Sequence, residues 1–357
     1  MTSIRVAHAG ADYEVVVGDL VATLPWIEAI RRGQLLPLVS DARVFGLHGG
    51  LLAAVTLPEP ILVAQGEVAK DWGTLSAIVD RLAASGIKRG TPIVALGGGS
   101  VGDVAALAAS LFKRGCPIIH VPTTLLAQAD SAVGGKTAID AAGQKNLVGT
   151  FHHPLLVIAD PALLATLDDR NLRSGYAEVV KYGLIDDPAF FDWCETSAGD
   201  LLEGDQTVRQ SAVEHCIRAK ARFVAADPDD TGGTRALLNF GHTFGHALEA
   251  LAGHRLLHGE AVALGMMLAF DFSAELGICQ PADALRVRAH LQSVGLPTQF
   301  EEVGFRHEPA DLLQAMLADK KAGAEGLTLI LAAGIGKAFV AKGVDARQLS
   351  SFLERRT

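Results

Sequence analysis

Four histidines stand close together in GGTRALLNFGHTFGHALEALAGHRLLHGE, the stretch from Gly232 to Glu260: His242, His246, His254 and His258. Arg235, Asn239, Glu249 and Glu260 lie among them. Neutral imidazoles and carboxylates are the usual ligands of a borderline divalent ion such as zinc. His242 and His246 are four apart, so a helix would show both on one face, and His258 follows after a short loop. An H-x-x-x-H pair alone also arises as scattered surface histidines. His258, Arg235 and Asn239 nearby favour a metal site with anion-binding side chains beside it.

A candidate carboxylate ligand stands upstream, in SGYAEVVKYGLIDD from Ser174 to Asp187. The segment reads as a helix with Glu178 and Lys181 on one face. On a surface this would be an ordinary i,i+3 ion pair. The flanking Ala177, Val179, Val180 and Leu184 argue for burial instead. A buried Glu needs a partner, which a metal or Lys181 would supply.

Two glycine-rich turns offer anion sites. ALGGGSVGD (95–103) sits where an apolar strand becomes a helix. Its glycines let the backbone approach a ligand, and the helix start offers N–H groups to a phosphate. Asp103 there is either a ligand contact or a helix cap. Asp41 ends an earlier strand, where an acid either holds a ribose hydroxyl or forms a turn. SAVGGKT (131–137) is no P-loop, because Asp130 stands where the first glycine is required. It leaves a glycine turn with Lys136, followed by Lys145 and Asn146, which either clamp an anion or are solvated. Spacing alone gives Lys220, Lys320 and Lys321 no function beyond solvated helix positions.

The elements that must carry these residues change character midway. Runs ending at Asp41, Gly66, Ser100, Thr124 and Pro161 read as buried parallel strands. KDWGTLSAIVDRLAASG and SVGDVAALAASLFKRG between them read as helices closed by glycine. Alternation of this kind implies an α/β sheet with ligands at the carboxyl ends of its strands. Beyond about residue 165 helical patterns dominate until LTLILAAGIG. The chain is therefore divided into an α/β domain, 1–165, and a mostly α-helical domain, 166–357. Its 357 residues and 49% apolar content suit two cored domains. A net charge of −9 without a basic run disfavours nucleic acid. Cys116, Cys194, Cys216 and Cys279 are widely spaced, which suits a reducing cytosol rather than a disulfide framework. The first twenty residues carry no long apolar region of a signal peptide, and no run reaches the ~18 apolar residues of a membrane span. A cytoplasmic protein is expected.

GGGSVGD, PTTLLAQADSAVGGKT, KNLVG, AEVVKYGLI, LNFGHTFGHALE and LHGEAVALGM occur in one order along the chain. Together they resemble the 3-dehydroquinate synthases of the sugar-phosphate cyclase superfamily, over essentially the whole length. The resemblance implies a Rossmann-like NAD-binding domain followed by a helical metal- and substrate-binding domain. It implies NAD, a divalent zinc or cobalt ion, and conversion of 3-deoxy-D-arabino-heptulosonate 7-phosphate to 3-dehydroquinate and phosphate in the shikimate pathway. By motif, the metal ligands are Glu178, His242 and His258. His246 passes to the substrate-phosphate pocket, which revises the simple helical pairing. Asp130, Lys136, Asn146, Lys181, Lys220, Arg235, Asn239 and Lys321, chosen over Lys320, match the substrate-binding set. NAD is expected against Asp41, Gly66, Glu67, Lys70, Gly99, Ser100, Val101, Gly102, Asp103, Thr123, Thr124, Lys136, Lys145, Leu163 and Thr166. Arg114 matches an arginine that enters the partner subunit's site, which implies a homodimer.

The implied chemistry explains the gathering of cations. Oxidising an alcohol acidifies the neighbouring carbon and lets phosphate leave by β-elimination; the hydride is then returned, the ring opens and an intramolecular aldol step closes the carbocycle. Lysines, Arg235 and Asn239 would neutralise and orient a doubly anionic substrate on an acidic protein. The alternatives are a cyclase for another sugar phosphate, a metal-dependent polyol dehydrogenase, and a non-catalytic NAD-binding regulator.

Overall fold

A computed structural model of the chain describes residues 1–8, 12–228, 230–231, 233–304, 308–319 and 327–356. Two compact units are formed, residues 1–168 with 204–229, and residues 169–203 with 230–357.

The first unit is built on a seven-stranded sheet. Its strands are β1 (Thr2–Val6), β2 (Tyr13–Val17), β3 (Leu38–Asp41), β4 (Ile61–Val63), β5 (Ile93–Gly97), β6 (Ile118–Pro122) and β9 (Leu156–Ala159), in the order β1-β2-β9-β6-β5-β3-β4. Only β1 and β2 pair antiparallel; the other pairings are parallel. The hairpin of β7 (Ile139–Ala141) and β8 (Gln144–Val148) stands apart from the sheet. Each of β3, β5, β6 and β9 is buried at every position. They are short apolar runs because parallel strands are covered on both faces. Helices α3 (Trp72–Ala84) and α4 (Gly99–Leu111) cover one face, and α1 (Leu20–Arg31) and α2 (Ala42–His48) the other. Ala105, Ala106, Ala108 and Ala109, with Leu107 among them, let α4 lie close on the sheet.

The second unit holds α5 (Asp169–Ile185), α6 (Pro188–Glu203), α8 (His242–Ala252), α9 (His258–Glu275), α10 (Pro281–Ser293), α11 (Pro309–Asp319) and α12 (Ala346–Glu354), with the hairpin β10 (Leu327–Ala332) and β11 (Ala338–Val344). Helix α9 is buried without interruption from Ala261 to Phe270, so it is apolar all round and forms the unit's axis. The α/β sheet and the helical second half expected from the sequence are both present. The division of the chain is less simple than one break at 165. Helix α7 (Gln206–Ala226) follows α6 in sequence but packs on β1, β2 and the turn at Ala127–Ser131, and so belongs to the first unit. Periodicity identifies a helix but not the surface that it covers.

Candidate active site and metal centre

In the helical unit the three expected metal ligands converge. Glu178 is fully buried on α5. Its Oε1 lies 3.7 Å from His242 Nε2 and 3.4 Å from His258 Nε2. A tetrahedral zinc with bonds of about 2.0–2.1 Å spaces its ligand atoms by roughly 3.3 Å. One ligand atom from each of the three residues can be taken with all separations within 4.8 Å.

The chain brings these residues together through glycines at helix crossings. A Cβ on Gly259 would fall 1.8 Å from the carbonyl of Ser174, so α9 meets α5 at a distance only glycine allows. The Gly259 N–H also donates to Ser174 Oγ at 3.0 Å. Gly265 and Gly245 perform the same service between α8 and α9, where added Cβ atoms would meet Gly241 O at 2.1 Å and Ala261 O at 3.1 Å. Gly241, with φ of +81°, turns the chain into α8 and so sets His242 at its first position.

Each imidazole is tethered on the side away from Glu178. His242 Nδ1 lies 3.2 Å from Phe240 O, and His258 Nδ1 lies 3.1 Å from Glu249 Oε2. Donation from both Nδ1 atoms leaves both Nε2 lone pairs toward Glu178, the arrangement in which histidine binds a metal. Burial, reinforced by Lys181, pushes His242 down to about 3. Burial also opposes a charge on His258, but the hydrogen bonds to Glu178 and Glu249 outweigh it and hold this imidazole up at about 10, so a metal ion binding at Nε2 must displace a proton from that atom. The donor set thus fits a divalent cation: one carboxylate, two imidazoles and their outer partners.

Of the other expected residues of this unit, Lys181 and His246 adjoin that trio. Lys181 is 1% exposed and ion-paired with Glu178, which settles the surface-or-buried alternative in favour of burial. His246 follows one turn after His242, their ring centroids 5.3 Å apart, and lies 6.2 Å from the His258 ring. Arg235, buried, and Asn239 occupy the 3-10 turn Thr234–Asn239 that leads into Gly241. Glu260 faces elsewhere: it accepts from Leu257 N at 2.9 Å, at the start of α9, and pairs with Arg170. Lys320, Lys321 and the side chain of His254 lie outside the described residues.

In the α/β unit the glycine turn follows β5. Gly98 precedes α4 without a side-chain cap, leaving the helix start open to an anion. A Cβ on Gly98 would meet Thr124 Cγ2 at 3.0 Å, and one on Gly99 would meet Ser131 Oγ at 3.0 Å. Thr123 N donates to Gly97 O at 2.9 Å. Val101 packs on Gly97, and Gly102 faces the His120 ring. A small cavity here is lined by Gly98, Gly99, Asp103, His120, Ser131 and Lys136. Asp103 is not a cap; it lies inside α4 and accepts from Lys70 Nζ at 2.8 Å. Lys70 is buried, and Asp103 and Glu67 raise its pKa against that burial. Lys70 also bonds Asn146, whose N–H donates to Asp140 at 2.8 Å. Glu67 follows the positive-φ Gly66 and gathers Ser100 at 3.3 Å and Lys145 at 3.8 Å. Thr166 accepts from or donates to His48 Nε2 at 2.9 Å and bonds Leu163 O at 3.1 Å. Asp41 is the N-cap of α2, accepting from Val44 N at 2.9 Å. Lys220, on α7, donates to both the carbonyl and the carboxylate of Asp130, at 2.6 and 3.0 Å.

Arg114 sits in a strained turn. Lys113, Arg114 and Gly115 have φ of 49°, 62° and 109°. A non-glycine residue in this region costs about 1–2 kcal/mol. Backbone strain of this kind concentrates where a side chain must be presented.

The sequence reading gave no role to Glu249, His120 or the Ser174–Gly259 crossing. The spacing of His242, His246 and Glu249, at i, i+4 and i+7, was the available signal for Glu249. Nothing local marks the other two, because each depends on a partner far away in sequence.

Comparison with known proteins fits this geometry. The profile described as 3-dehydroquinate synthase N-terminal matches residues 60–174, and that described as 3-dehydroquinate synthase C-terminal matches residues 175–322. The 3-dehydroquinate synthase of Caulobacter vibrioides is 50% identical over 360 residues, covering 96% of this chain and 95% of its own. Among solved structures, the 2-epi-5-epi-valiolone synthase ValA of Streptomyces hygroscopicus subsp. jinggangensis, with NAD+ and Zn2+ bound, is 31% identical with a TM-score of 0.88, over 98% of this chain and 99% of that one. A 2-deoxy-scyllo-inosose synthase complexed with carbaglucose-6-phosphate, NAD+ and Co2+ is 25% identical with a TM-score of 0.89, over the full length of both. Two adjoining profiles and half-identity to a curated relative along nearly the whole length leave one conclusion: the chain belongs to the 3-dehydroquinate synthase family.

Proposed function

We propose that this chain converts 3-deoxy-D-arabino-heptulosonate 7-phosphate to 3-dehydroquinate and inorganic phosphate, using NAD and a divalent zinc or cobalt ion. The observation that carries the reading is Glu178 facing two imidazole Nε2 atoms whose Nδ1 atoms are tied elsewhere. Glu178, His242 and His258 hold the metal. NAD lies on the open start of α4 and the cluster of Asp41, Glu67, Lys70, Ser100, Asp103, Thr123, Thr124, Lys145, Leu163 and Thr166, with Lys136 beside it. When bound, NAD supplies a transient oxidant and the metal a Lewis acid for the substrate alcohol.

The chain's own residues bind and orient the substrate. Its carboxylate and phosphate are matched by Lys136, Lys181, Lys220, Arg235 and Lys321, with Asn146, Asn239 and His246 as hydrogen-bonding partners. Glu178 and Asp130 hold the ammonium groups of Lys181 and Lys220 in fixed positions. Charge that grows on the departing phosphate therefore meets donors already in place. NAD is assigned to the first unit and the metal to the second; of the substrate-binding set, Asp130, Lys136, Asn146 and, through α7, Lys220 belong to the first unit.

Arg114 is assigned to the partner's site in a homodimer. The strained turn that presents it supports this, as do the exposed Leu111, Leu147, Phe151 and Leu155 on neighbouring segments; Thr150 and Ser110, bonded at 3.0 Å, tie these segments together. Mixing Arg114→Ala and His242→Ala chains tests the assignment, since shared sites would regain up to about a quarter of the activity by random pairing. Cytoplasmic residence is supported by four buried, free cysteines. No helix among the described residues is long and apolar enough to cross a membrane.

The decisive assay combines the protein, NAD+, zinc or cobalt and the heptulosonate phosphate, and follows phosphate and the cyclic product together. Stoichiometric release of both without net NADH is expected. Turnover only with another sugar phosphate would make the chain a different cyclase. Net NADH from polyols would make it a dehydrogenase.

A further inference from the structure

The mechanism leaves one buried acid near the metal trio without a task. Glu249 is 2% exposed on α8, and its Oε2 lies 3.1 Å from His258 Nδ1. It shares a helix face with His242 and His246 at i+7 and i+3. His258 begins α9 and its ring is partly exposed. A histidine at the first position of a helix has more than one staggered rotamer open to it.

We propose that Glu249 is the positioning residue of the metal centre, fixing His258 in the tautomer and ring orientation that turn Nε2 toward Glu178. His242 draws the same service from a backbone carbonyl, Phe240 O; His258 has a carboxylate in that position. An anionic acceptor makes the imidazole a stronger donor to a cation than a carbonyl does. The two imidazoles are thereby unequal, and His258 carries the larger share of metal affinity that side chains control. His246, Glu249 and His258 can also be drawn as a metal trio of their own, with ligand atoms within 4.8 Å. The Glu178 trio is favoured because it leaves Glu249 on Nδ1 and uses Nε2, so that one imidazole serves both carboxylates at once.

The inference rests on Glu178, His242 and His258 being the metal ligands, and the experiment separates the two. Metal-stripped wild type, Glu178→Gln, Glu249→Gln and Glu249→Ala are titrated with Co2+ against a chelator of known affinity, and the visible absorption of bound Co2+ is recorded. Glu249→Ala should weaken Co2+ binding about 10–100-fold while the bound ion keeps the wild-type band positions. Glu249→Gln retains an acceptor for Nδ1 and should recover part of that loss. Unchanged affinity in both Glu249 variants would overturn the proposal. So would a shift of the cobalt bands that signals a lost ligand, since Glu249 would then bind the ion itself. Should Glu249→Ala fail to fold, Glu249→Gln decides: weaker binding with unshifted bands upholds the proposal, and wild-type affinity overturns it. Failure of Glu178→Gln to affect binding would instead remove the metal assignment beneath it.

Discussion

The two units use glycine for different ends. In the α/β unit, Gly97, Gly98 and Gly99 keep side chains away from the end of β5, so that backbone N–H groups can face a ligand. In the helical unit, Gly245, Gly259 and Gly265 lie inside helix crossings and let α5, α8 and α9 approach until their side chains converge. One site has backbone at a single local turn as its centre, with side chains from other segments around it. The other is mainly side chain, assembled from three separate segments. The histidines differ in the same sense. His120, beside the glycine turn, is pushed down to about 4 by burial and neighbouring His152, whereas His258 is held up at about 10 by two carboxylates.

Breaking the side-chain site should have the largest effect. Glu178→Gln removes a ligand and leaves Lys181 with less compensation. Activity should fall by at least about a thousandfold and bound metal should drop below equimolar, as read by elemental analysis. NAD affinity should be unchanged, because the nucleotide cluster belongs to the other unit. Full activity in the metal-stripped variant would break the contrast.

The crossing itself is tested by Gly259→Ala. A methyl group 1.8 Å from Ser174 O forces α5 and α9 apart. We expect a loss of about 3 kcal/mol or more in denaturant unfolding, together with weakened metal binding. Gly46→Ala, on α2 with nothing within 4 Å of the new Cβ, should instead gain roughly 0.5–1 kcal/mol. Equal effects at the two sites would show that the crossing tolerates the methyl.

Acid titration sharpens the comparison from the other unit. The folded-state pKa of His120, about 4, is below the ordinary imidazole value of 6.5. The unfolded chain therefore binds more protons between these values. The His120 contribution is complete above pH 6.5 and is lost as the pH falls toward 4. Its limit is about 3 kcal/mol at 1.36 kcal/mol per unit. Unfolding free energies of wild type and His120→Gln from pH 7 to 4 should converge as the pH falls. Parallel profiles would remove His120 from the acid response.

The smallest effect belongs to the backbone site. Gly98→Ala brings a Cβ to 3.0 Å from Thr124 Cγ2, a contact that a small side-chain shift relieves. NAD affinity should weaken about tenfold, near 1.4 kcal/mol, with metal affinity unchanged; equilibrium titration of both ligands checks this.

Legibility in the sequence follows the same division. The strands ending at Asp41, Gly66, Ser100, Thr124 and Pro161 could be read because buried parallel strands are continuous apolar runs between turns. The strand-to-helix glycine turn could be read because all of its parts are neighbours in sequence. Asp103 and Asp41 were open alternatives that local spacing could not resolve. In the structure the first accepts from Lys70, some thirty positions earlier, and the second caps α2 through one carboxylate oxygen. Helix α7 has a helical pattern like its neighbours, and that pattern carries no information about which unit it joins.

By itself the sequence determined the residue types, the periodicities and the ordered motifs, and with them the α/β and helical halves and the chemistry available to each. Only the tertiary structure decided that Glu178 is fully buried between two imidazoles, that Glu249 takes the far nitrogen of one of them, and that α7 lies with the sheet. The physical reason is range. Propensity, capping and turn chemistry act over a few residues, whereas burial and ligand geometry depend on which distant surfaces can approach. Here that approach is set by glycines whose missing side chains acquire meaning only opposite a second helix.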